Sequence, residues 1–460
     1  MKNVLLILLF TFSMLLQSQE VTPKQVNELK QKIEYSINKE RVKWLDSLTT
    51  VVWRKKGFNF DSLAIETIKY SLEQDTADVA AYHVVNRMYY YSGSKGDLNT
   101  SKEIFEDFKN NHILKVKKPR RIANFYKAGG LLYYNIDEYA KSLKYYETAL
   151  RAAVKTIDSQ AIGEIYMGKG MVYYNQGMLM ESSQNLQKSI PYFKTSGGIN
   201  AIINVKNIMT SLYSENGFYS EAQKERDEAL ALAEEEKHYL FLSQIYFNYS
   251  VELQKRGMLQ ERIKYIDLAL KNVEQSRYKI YYKPIYLAGA VIAWAELNNV
   301  LNAKEYMDAL EKEPRKNAPG ETTAFYKEAK MRFAFANKNY KLALKYGKEY
   351  YQYKKEIEQF DGLENANQFL AKVYTALGND KKANQHLLKY QEIKDSITGL
   401  KKAQGLSYYQ TLYETEKRDA KINSQQNKIA LLGVQNKIKK QWLIFGILGL
   451  LLLFSFFITL

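Results

Sequence analysis

The residues that most often carry out chemistry in proteins are few in this chain and form no recognised catalytic or metal-binding pattern. The four histidines, His83, His112, His238 and His386, lie far apart, and none has a second histidine at the spacing of a metal-binding helix. The chain has no cysteine, which excludes disulfides, thiolate metal sites and thiol nucleophiles. We therefore predict a protein that is not an enzyme, with no catalytic residue, no metal and no cofactor.

Three glycine-containing segments invite a phosphate-binding interpretation, but each has a simpler one. Ser92–Asp97 lacks the spacing of a phosphate-binding loop and does not join a strand to a helix. Ala128–Gly130 falls within a predicted helix, and Ser196–Gly198 falls between two helices, with no βαβ unit around either. We interpret them as parts of a helical array and not as a nucleotide site.

The chain is basic, with 67 lysine and arginine residues against 50 aspartate and glutamate residues and a formal net charge of +17. A clustered basic surface would favour nucleic acid, because phosphate contacts release counterions. The lysines are instead dispersed over the whole chain, which favours a solvated basic surface. We expect no direct binding of nucleic acid.

A pattern of about 40 residues recurs along most of the chain. Its clearest copy has an aromatic residue at Tyr133, a polar turn, and small residues at Ser142 and Ala149 on either side of the large Tyr146. Self-similarity at such a period indicates stacked helix pairs, and we predict about nine of them between Arg41 and Lys394. Equivalent positions in two further copies are Tyr173, Gly177, Ser182, Leu186 and Ser189, and Tyr213, Gly217, Ala222, Arg226 and Ala229.

Each position in the repeat has a physical role. The Gly, Asn or Asp column marks the end of the first helix, where a left-handed residue is needed. The small-residue column lies where the two helices approach most closely. Arg262 and Asp61 break this column, so we expect looser pairs there, or an Arg262 that turns outward with its stem along apolar surface. Further turn residues are Lys56, Gly96, Gly257, Asn298, Lys338 and Gly378.

These columns resemble the tetratricopeptide repeat. Gly130 and Gly170 match its first-helix glycine, Tyr133 and Tyr173 its aromatic residue, and Ser142 its small residue. The period exceeds the usual 34 residues, and the terminal proline is missing. HEAT and armadillo repeats share the longer period but do not account for the glycine column. The predicted fold class is all-α, a tetratricopeptide-like α-solenoid.

The ends of the chain differ from the repeats. Residues 1–19 read as a signal peptide and residues 20–40 as a helical lead-in to the repeats at 41–396. Residues 397–440 read as a helical stalk, in which Ile422 and Ile429 stand one heptad apart; a dimeric coiled coil and a lone solvated helix both fit. The apolar run at 441–460 predicts one transmembrane helix, either a tail anchor or the front part of a longer protein.

This order of segments resembles bacterial transmembrane sensors whose span precedes a histidine-kinase or LuxR-type helix-turn-helix output. The resemblance implies a sensory half that binds a protein or peptide, located at the cytoplasmic membrane with its repeats in the periplasm. A homodimer through the stalk is one of the two interpretations of the stalk helix. The output itself is absent from these residues. Two alternatives stay open: a structural envelope-assembly tether, and a DNA-linked regulator that lacks its output domain.

The binding surface is expected on the inner groove of the superhelix, which first helices line and where extended peptides bind in such arrays. Lysine and asparagine side chains suit peptide backbones and acidic groups. An ordinary solvent-facing role is the alternative for each residue. The candidates are Asn86, Asn124, Lys127, Lys169, Lys206, Asn207, Asn248 and Lys327.

Overall fold

A computed structural model shows an all-helical chain in which antiparallel helices follow one another in pairs. The structure describes residues 22–53, 57–314, 316, 318, 321–356 and 360–459, with only part of the side chains beyond 399. The predicted signal peptide, residues 1–19, lies outside these residues. Helix α1, Pro23–Glu34, precedes the pairs and begins with a capping box between Thr22 and Gln25.

Nine helices take the first position in successive pairs of the described chain, and nine take the second. The first helices are α2 Asn38–Val52, α4 Ala77–Tyr89, α6 Pro119–Asn135, α8 Ser159–Asn175, α10 Ile199–Glu215, α12 Tyr239–Lys255, α14 Lys279–Glu296, α16 Glu321–Ala336 and α18 Phe360–Ala376. The second helices are α3 Phe60–Glu73, α5 Leu98–Asn111, α7 Tyr139–Val154, α9 Leu179–Ser196, α11 Tyr219–Glu235, α13 Leu259–Glu274, α15 Val300–Lys312, α17 Tyr340–Glu356 and α19 Asp380–Thr459.

The turn inside each pair depends on one left-handed residue. Gly177 has a φ of 73° and Gly217 a φ of 84°. An added side chain at Gly217 would meet nothing within 4 Å, so the backbone conformation alone favours glycine there. Asp137 and Asn298 take the same conformation with φ of 62° and 55°, as the Gly, Asn or Asp column predicts. Lys338 does so as well, at 57°, although lysine has no such preference.

Small residues close the helix pairs by two contacts that repeat along the chain. The hydroxyl of Ser142 donates to the carbonyl of Gly130 at 2.6 Å, and that of Ser182 donates to the carbonyl of Gly170 at 2.9 Å. A Cβ on Gly130 would lie 2.7 Å from the Tyr146 ring. The glycine and serine columns are therefore complementary halves of one close approach between helices.

The structure corrects the expectation for Arg262. Its side chain is fully buried instead of turning outward, and Nη1 donates to Oε2 of Glu296 at 2.7 Å. The ion pair makes burial possible, since a buried charge needs a charged partner and hydrogen bonds. Asp61, the other exception, accepts from Arg87 at 2.8 Å and from the Tyr91 hydroxyl at 2.9 Å.

The last helix belongs to two compact units, which divide at Gly399 into residues 1–399 and 400–460. Along the second unit the described apolar side chains of Ile422 and Ile429 are exposed. A stalk dimer and the segment boundaries at 19, 40, 396 and 440 stay predictions.

The predicted location at the cytoplasmic membrane, with periplasmic repeats, is wrong. In the part of the chain that the structure describes, no helix has both the length and the apolar character that a bilayer crossing requires. The described side chains leading into the predicted span are exposed and charged, at Lys437, Lys439 and Lys440. The predicted transmembrane helix at 441–460 and a membrane contact through it receive no support.

Candidate peptide-binding face

First and second helices differ in how many of their faces are covered. Within α10 every residue from 201 to 210 is buried, whereas the buried residues of α11 form one stripe, Ala222, Arg226, Ala229 and Ala233. Successive first helices pack on each other, as α6 does on α8 and α10 on α12, in addition to packing on their own second helices. The array therefore bends around its first helices, and they form its inner surface.

Polar side chains link each first helix to the next along this inner surface. Asn175 of α8 donates to the Tyr134 hydroxyl of α6 at 2.9 Å, and Asn248 of α12 donates to Oδ1 of Asn207 of α10 at 3.1 Å. Lys127 of α6 makes an ion pair with Glu164 of α8. Burial opposes the charge of this lysine, but Glu164 outweighs burial and raises the pKa of Lys127.

Asn207 and Asn248, in this inner row of polar side chains, are thus brought together across α10 and α12, and Lys127 lies separately against Glu164 of α8. Lys169 and Lys206 do not link first helices, because their ammonium groups bind carboxylates of second helices. Lys169 pairs with Glu147 of α7. Lys206 is buried and donates to Glu225 of α11 at 2.9 Å as well as to Glu228.

The other three candidates lie at different depths. Asn86 is buried on α4, and Asn124 is half-buried on α6. Lys327 of α16 is half-buried, with its ammonium 5.8 Å from the centre of the Tyr353 ring on α17. A role in binding stays a prediction for all eight residues.

Several buried amides of the inner row have an atom without a hydrogen-bond partner among the described residues. These atoms are Nδ2 of Asn86, Oδ1 of Asn204, Nδ2 of Asn207 and Oε1 of Gln244. Leaving such a group unsatisfied costs about 1–3 kcal/mol. Donors and acceptors are both present, which is the set that a peptide backbone requires.

Asn204 and Gln244 were missed in the sequence because hydrophobic periodicity places them on a covered face. A signal was present: Asn124, Glu164, Asn204 and Gln244 follow one another at intervals of 40 residues. A polar column at the repeat period, on helices that are otherwise buried, indicates a polar inner row.

A cavity of about 660 Å³ opens on the inner surface where α10, α12, α14, α16, α17 and α18 meet. One wall is aromatic, formed by Phe325, Phe335, Tyr350 and Phe369. The amides of Gln254, Asn365 and Gln368 alternate with charged residues around the rest, and the charged residues are Glu215, Lys255, Glu296, Glu328, Arg332, Lys354 and Lys372. Volumes of about 300–1,000 Å³ with an apolar wall and a few polar groups are typical of ligand sites.

Glu296 is the centre of an ion network behind this cavity. Its Oε1 accepts from Nη1 of Arg332 and from Nε2 of Gln254, both at 2.8 Å, while its Oε2 accepts from Arg262. Nε of Arg332 donates to Glu328 at 2.8 Å. Burial and the neighbouring Arg332 lower the pKa of Arg262 to about 10, although Glu296 acts in the opposite direction, so the arginine stays charged at neutral pH.

The histidines do not meet in a metal site, and the described residues contain no group of three or more metal-ligating side chains. His83 bonds to Asp46 at 2.7 Å, and His386 bonds to Asn367 at 2.9 Å, in different repeats. The inner row and the cavity are the candidate functional site.

Three solved structures share this architecture. The apo form of RapI has a TM-score of 0.54 at 15% identity and covers 82% of this chain and 98% of its own. The fold is that of a tetratricopeptide-like helical repeat. The apo quorum sensor NprR from B. thuringiensis has a TM-score of 0.54 at 17% identity, covering 77% of this chain and 99% of its own. A Rap protein complexed with competence and sporulation factor has 0.55 at 13%, covering 82% and 99%.

Similarity in sequence to known proteins covers a smaller part of the chain than similarity in structure does. No protein-family model matches the chain. A curated relative, Regulatory protein RapG of Bacillus subtilis (strain 168), is 23% identical over 125 residues, which is 27% of this chain. The chain thus spans about a third, 34%, of the length of this relative.

Proposed function

We propose that the helical array is a non-catalytic regulatory module that binds a peptide, or an extended segment of a protein, on its inner surface. The observation that carries this proposal is the cavity of about 660 Å³, with an aromatic wall, three amides and charged residues all facing the inner surface. An apolar wall holds side chains, and convergent amides fix the backbone of a ligand.

The repeat geometry suits an extended ligand. Packed helices lie about 8–10 Å apart, and an extended chain advances about 3.3–3.6 Å per residue. One first helix therefore corresponds to roughly three peptide residues. Partly exposed amides of first helices, such as Asn124 of α6 and Asn248 of α12, supply further hydrogen-bonding groups beyond the cavity.

The comparisons support this proposal at the level of architecture. The neighbours include a quorum sensor and a Rap protein in complex with a signalling factor, both built from similar helical arrays. The curated relative carries the description of a regulatory protein. A peptide-responsive regulator is accordingly the function that best unites fold and cavity.

The test is a selection of binders from a random peptide library displayed on phage, followed by titration calorimetry with the enriched peptides. Asn365 is exposed at the cavity on α18, so Asn365→Trp fills the mouth without disturbing the core. We expect this variant to weaken binding of the enriched peptides at least about tenfold, by steric exclusion from the pocket.

Lys341→Gln on α17 is the matched control, since Lys341 is exposed and lines no part of the cavity. It should bind as the wild type does. Peptides that bind both variants equally well would show that this surface is not the binding site.

A further inference from the structure

The carboxylates of Glu296 and Glu328, in the lining of the cavity, already accept hydrogen bonds on both of their oxygens. Both oxygens of Glu296 accept hydrogen bonds, from Arg332, Gln254 and Arg262 together. Both oxygens of Glu328 accept as well, from Arg332 and from the Tyr350 hydroxyl at 3.3 Å. Neither acid is available to neutralise a cationic ligand.

Positive charge, in contrast, is in excess. Four basic and three acidic side chains line the cavity, and Arg262 stands directly behind Glu296. Nε and Nη2 of Arg262 have no hydrogen-bond partner among the described residues, although the side chain is fully buried. Arg262 is covered, so its charge acts only through space, and the partly exposed Arg332 and the exposed Lys372 are cations of the lining that an anion can contact.

The charge of the lining also differs between the α10 end and the α18 end of the cavity. Glu215 belongs to α10 and Lys372 to α18, the first and last of the helices that line the cavity. The ammonium of Lys255 lies 4.0 Å from Oε1 of Glu215, so the acid and the base balance each other at the α10 end. Lys372 is exposed at the α18 side, next to the aromatic ring of Phe369 in the lining.

We infer that the cavity recognises a peptide carboxylate with an apolar side chain beside it, the carboxylate lying towards Arg332 and Lys372 and the apolar group on the aromatic wall. This inference rests on the proposed function and adds the chemistry of the ligand to it. A terminal carboxylate and an aspartate or glutamate side chain offer the same group. The experiment separates these two sources.

Three probes differ in the presence and position of one carboxylate. The first is acetyl-Ala-Ala-Leu-Phe-Leu as the free acid, the second is the same peptide as the uncharged C-terminal amide, and the third is acetyl-Ala-Asp-Leu-Phe-Leu as the amide. Their binding to the full chain is measured by titration calorimetry at low and physiological salt. We expect the free acid to bind at least about tenfold more tightly than the uncharged amide. If the aspartate peptide binds as tightly as the free acid, a side-chain carboxylate suffices; if it does not, the terminus is required.

Lys372→Gln should lower the affinity for the charged probes about two- to fivefold, which is the range of an exposed ion pair, and leave the uncharged amide unchanged. Lys341→Gln should change none of the three. Equal affinities of the wild type for the acid and the amide, including no measurable binding of either, would overturn the carboxylate inference.

The two proposals fail in different ways. If the acid and the amide bind equally but Asn365→Trp removes both, the cavity is a peptide site without preference for a carboxylate. If Asn365→Trp leaves the binding of the library-selected peptides unchanged, the proposed function is lost together with the inference.

Discussion

The helix pairs before α10 and those after it close in chemically different ways. In the earlier region, serine hydroxyls of α5, α7 and α9 donate to carbonyls of their own first helices, as Ser142 does to Gly130. In the later region, Arg262 of α13 takes that place and pairs with Glu296. Arg226 of α11, four residues after the small Ala222, pairs with Glu252. Arg226 is buried, donates to Glu252 at 2.8 Å and lies over the Tyr249 ring at 3.7 Å.

The difference changes which parts of the array depend on one another. A serine bond stays inside its own pair, because donor and acceptor belong to adjacent helices of that pair. Glu296 of α14 instead binds Arg262 of the pair before it and Arg332 of the pair after it. The serine contacts thus act within single pairs, while the network around Glu296 couples three consecutive pairs around the cavity. The ligand site lies in the coupled region.

The largest effect is expected when the shared carboxylate is removed. Glu296→Gln leaves the buried Arg262 without its counter-charge and takes one of two carboxylates from the half-buried Arg332. Breaking a buried pair on one side costs about 3–5 kcal/mol. We expect a lower unfolding temperature and faster hydrogen exchange across α12 to α16. Mass spectrometry of the exchanged peptides measures both extent and location.

Glu305→Gln is the control, because Glu305 is an exposed glutamate on α15, in the same part of the chain. An exposed change of this kind stays within about 0.5 kcal/mol. If exchange rose in α14 alone, coupling of neighbouring pairs through Glu296 would be refuted.

For the serine-closed pairs before α10, the most direct test of the close helix contact is a larger side chain in place of a glycine. Gly130→Val places atoms where even a Cβ would be 2.7 Å from the Tyr146 ring, and overpacking a core costs about 1–3 kcal/mol. Because the contact lies inside one pair, exchange should rise in α6 and α7 and leave α12 to α16 as in the wild type. A substituted Gly399 would meet nothing within 4 Å, so Gly399→Ala is the control and should be neutral or stabilising by about 0.5–1 kcal/mol.

The sequence predicted the serine-closed pairs before α10 well and the ion network around Glu296 poorly. The columns of Gly130, Ser142 and Tyr146 follow from local rules, since a turn, a close approach and a large neighbour each select a residue type. Arg262 was expected to turn outward because one chain position does not reveal its partner. Glu296 lies 34 residues away and in the next pair, so only the fold brings the two charges together.

The same distinction applies to the candidate site. Repeat register, which is a local property, predicts that Asn207, Asn248 and Lys127 face the inner surface, and their role in binding stays a prediction. The ion pairs of Lys169 and Lys206 depend on glutamates of second helices, and side-chain reach decides them. Residues of five first helices line the cavity, so no short stretch of sequence contains all of them.

A smaller effect is expected from one hydroxyl of the serine column. Ser142→Ala removes the 2.6 Å bond to Gly130 and retains the close packing, so we expect a loss of about 0.5–1.5 kcal/mol in the free energy of unfolding. Urea denaturation at fixed temperature measures it. Ser47 is partly exposed and bonds to the carbonyl of Lys43 in its own helix. Ser47→Ala should therefore change stability by less than about 0.5 kcal/mol, as surface changes usually do. Equal losses for the two variants would remove the special role of this column.

The smallest effect is a pH dependence of stability in the pairs before α10, and it depends on Glu106 of α5. Burial raises the pKa of this carboxyl, but hydrogen bonds from Lys109 and Tyr133 outweigh burial and hold the pKa of Glu106 below its ordinary value of 4.5. A folded pKa below the unfolded one adds stability above pH 4.5, and this contribution is lost as the pH falls through the folded value. Unfolding temperatures measured from pH 7 to pH 3 should therefore fall less steeply for Glu106→Gln than for the wild type. Glu103→Gln, at an exposed position on the same helix, should retain the wild-type slope; if it flattened the curve equally, general charge and not this buried contact would govern acid sensitivity here.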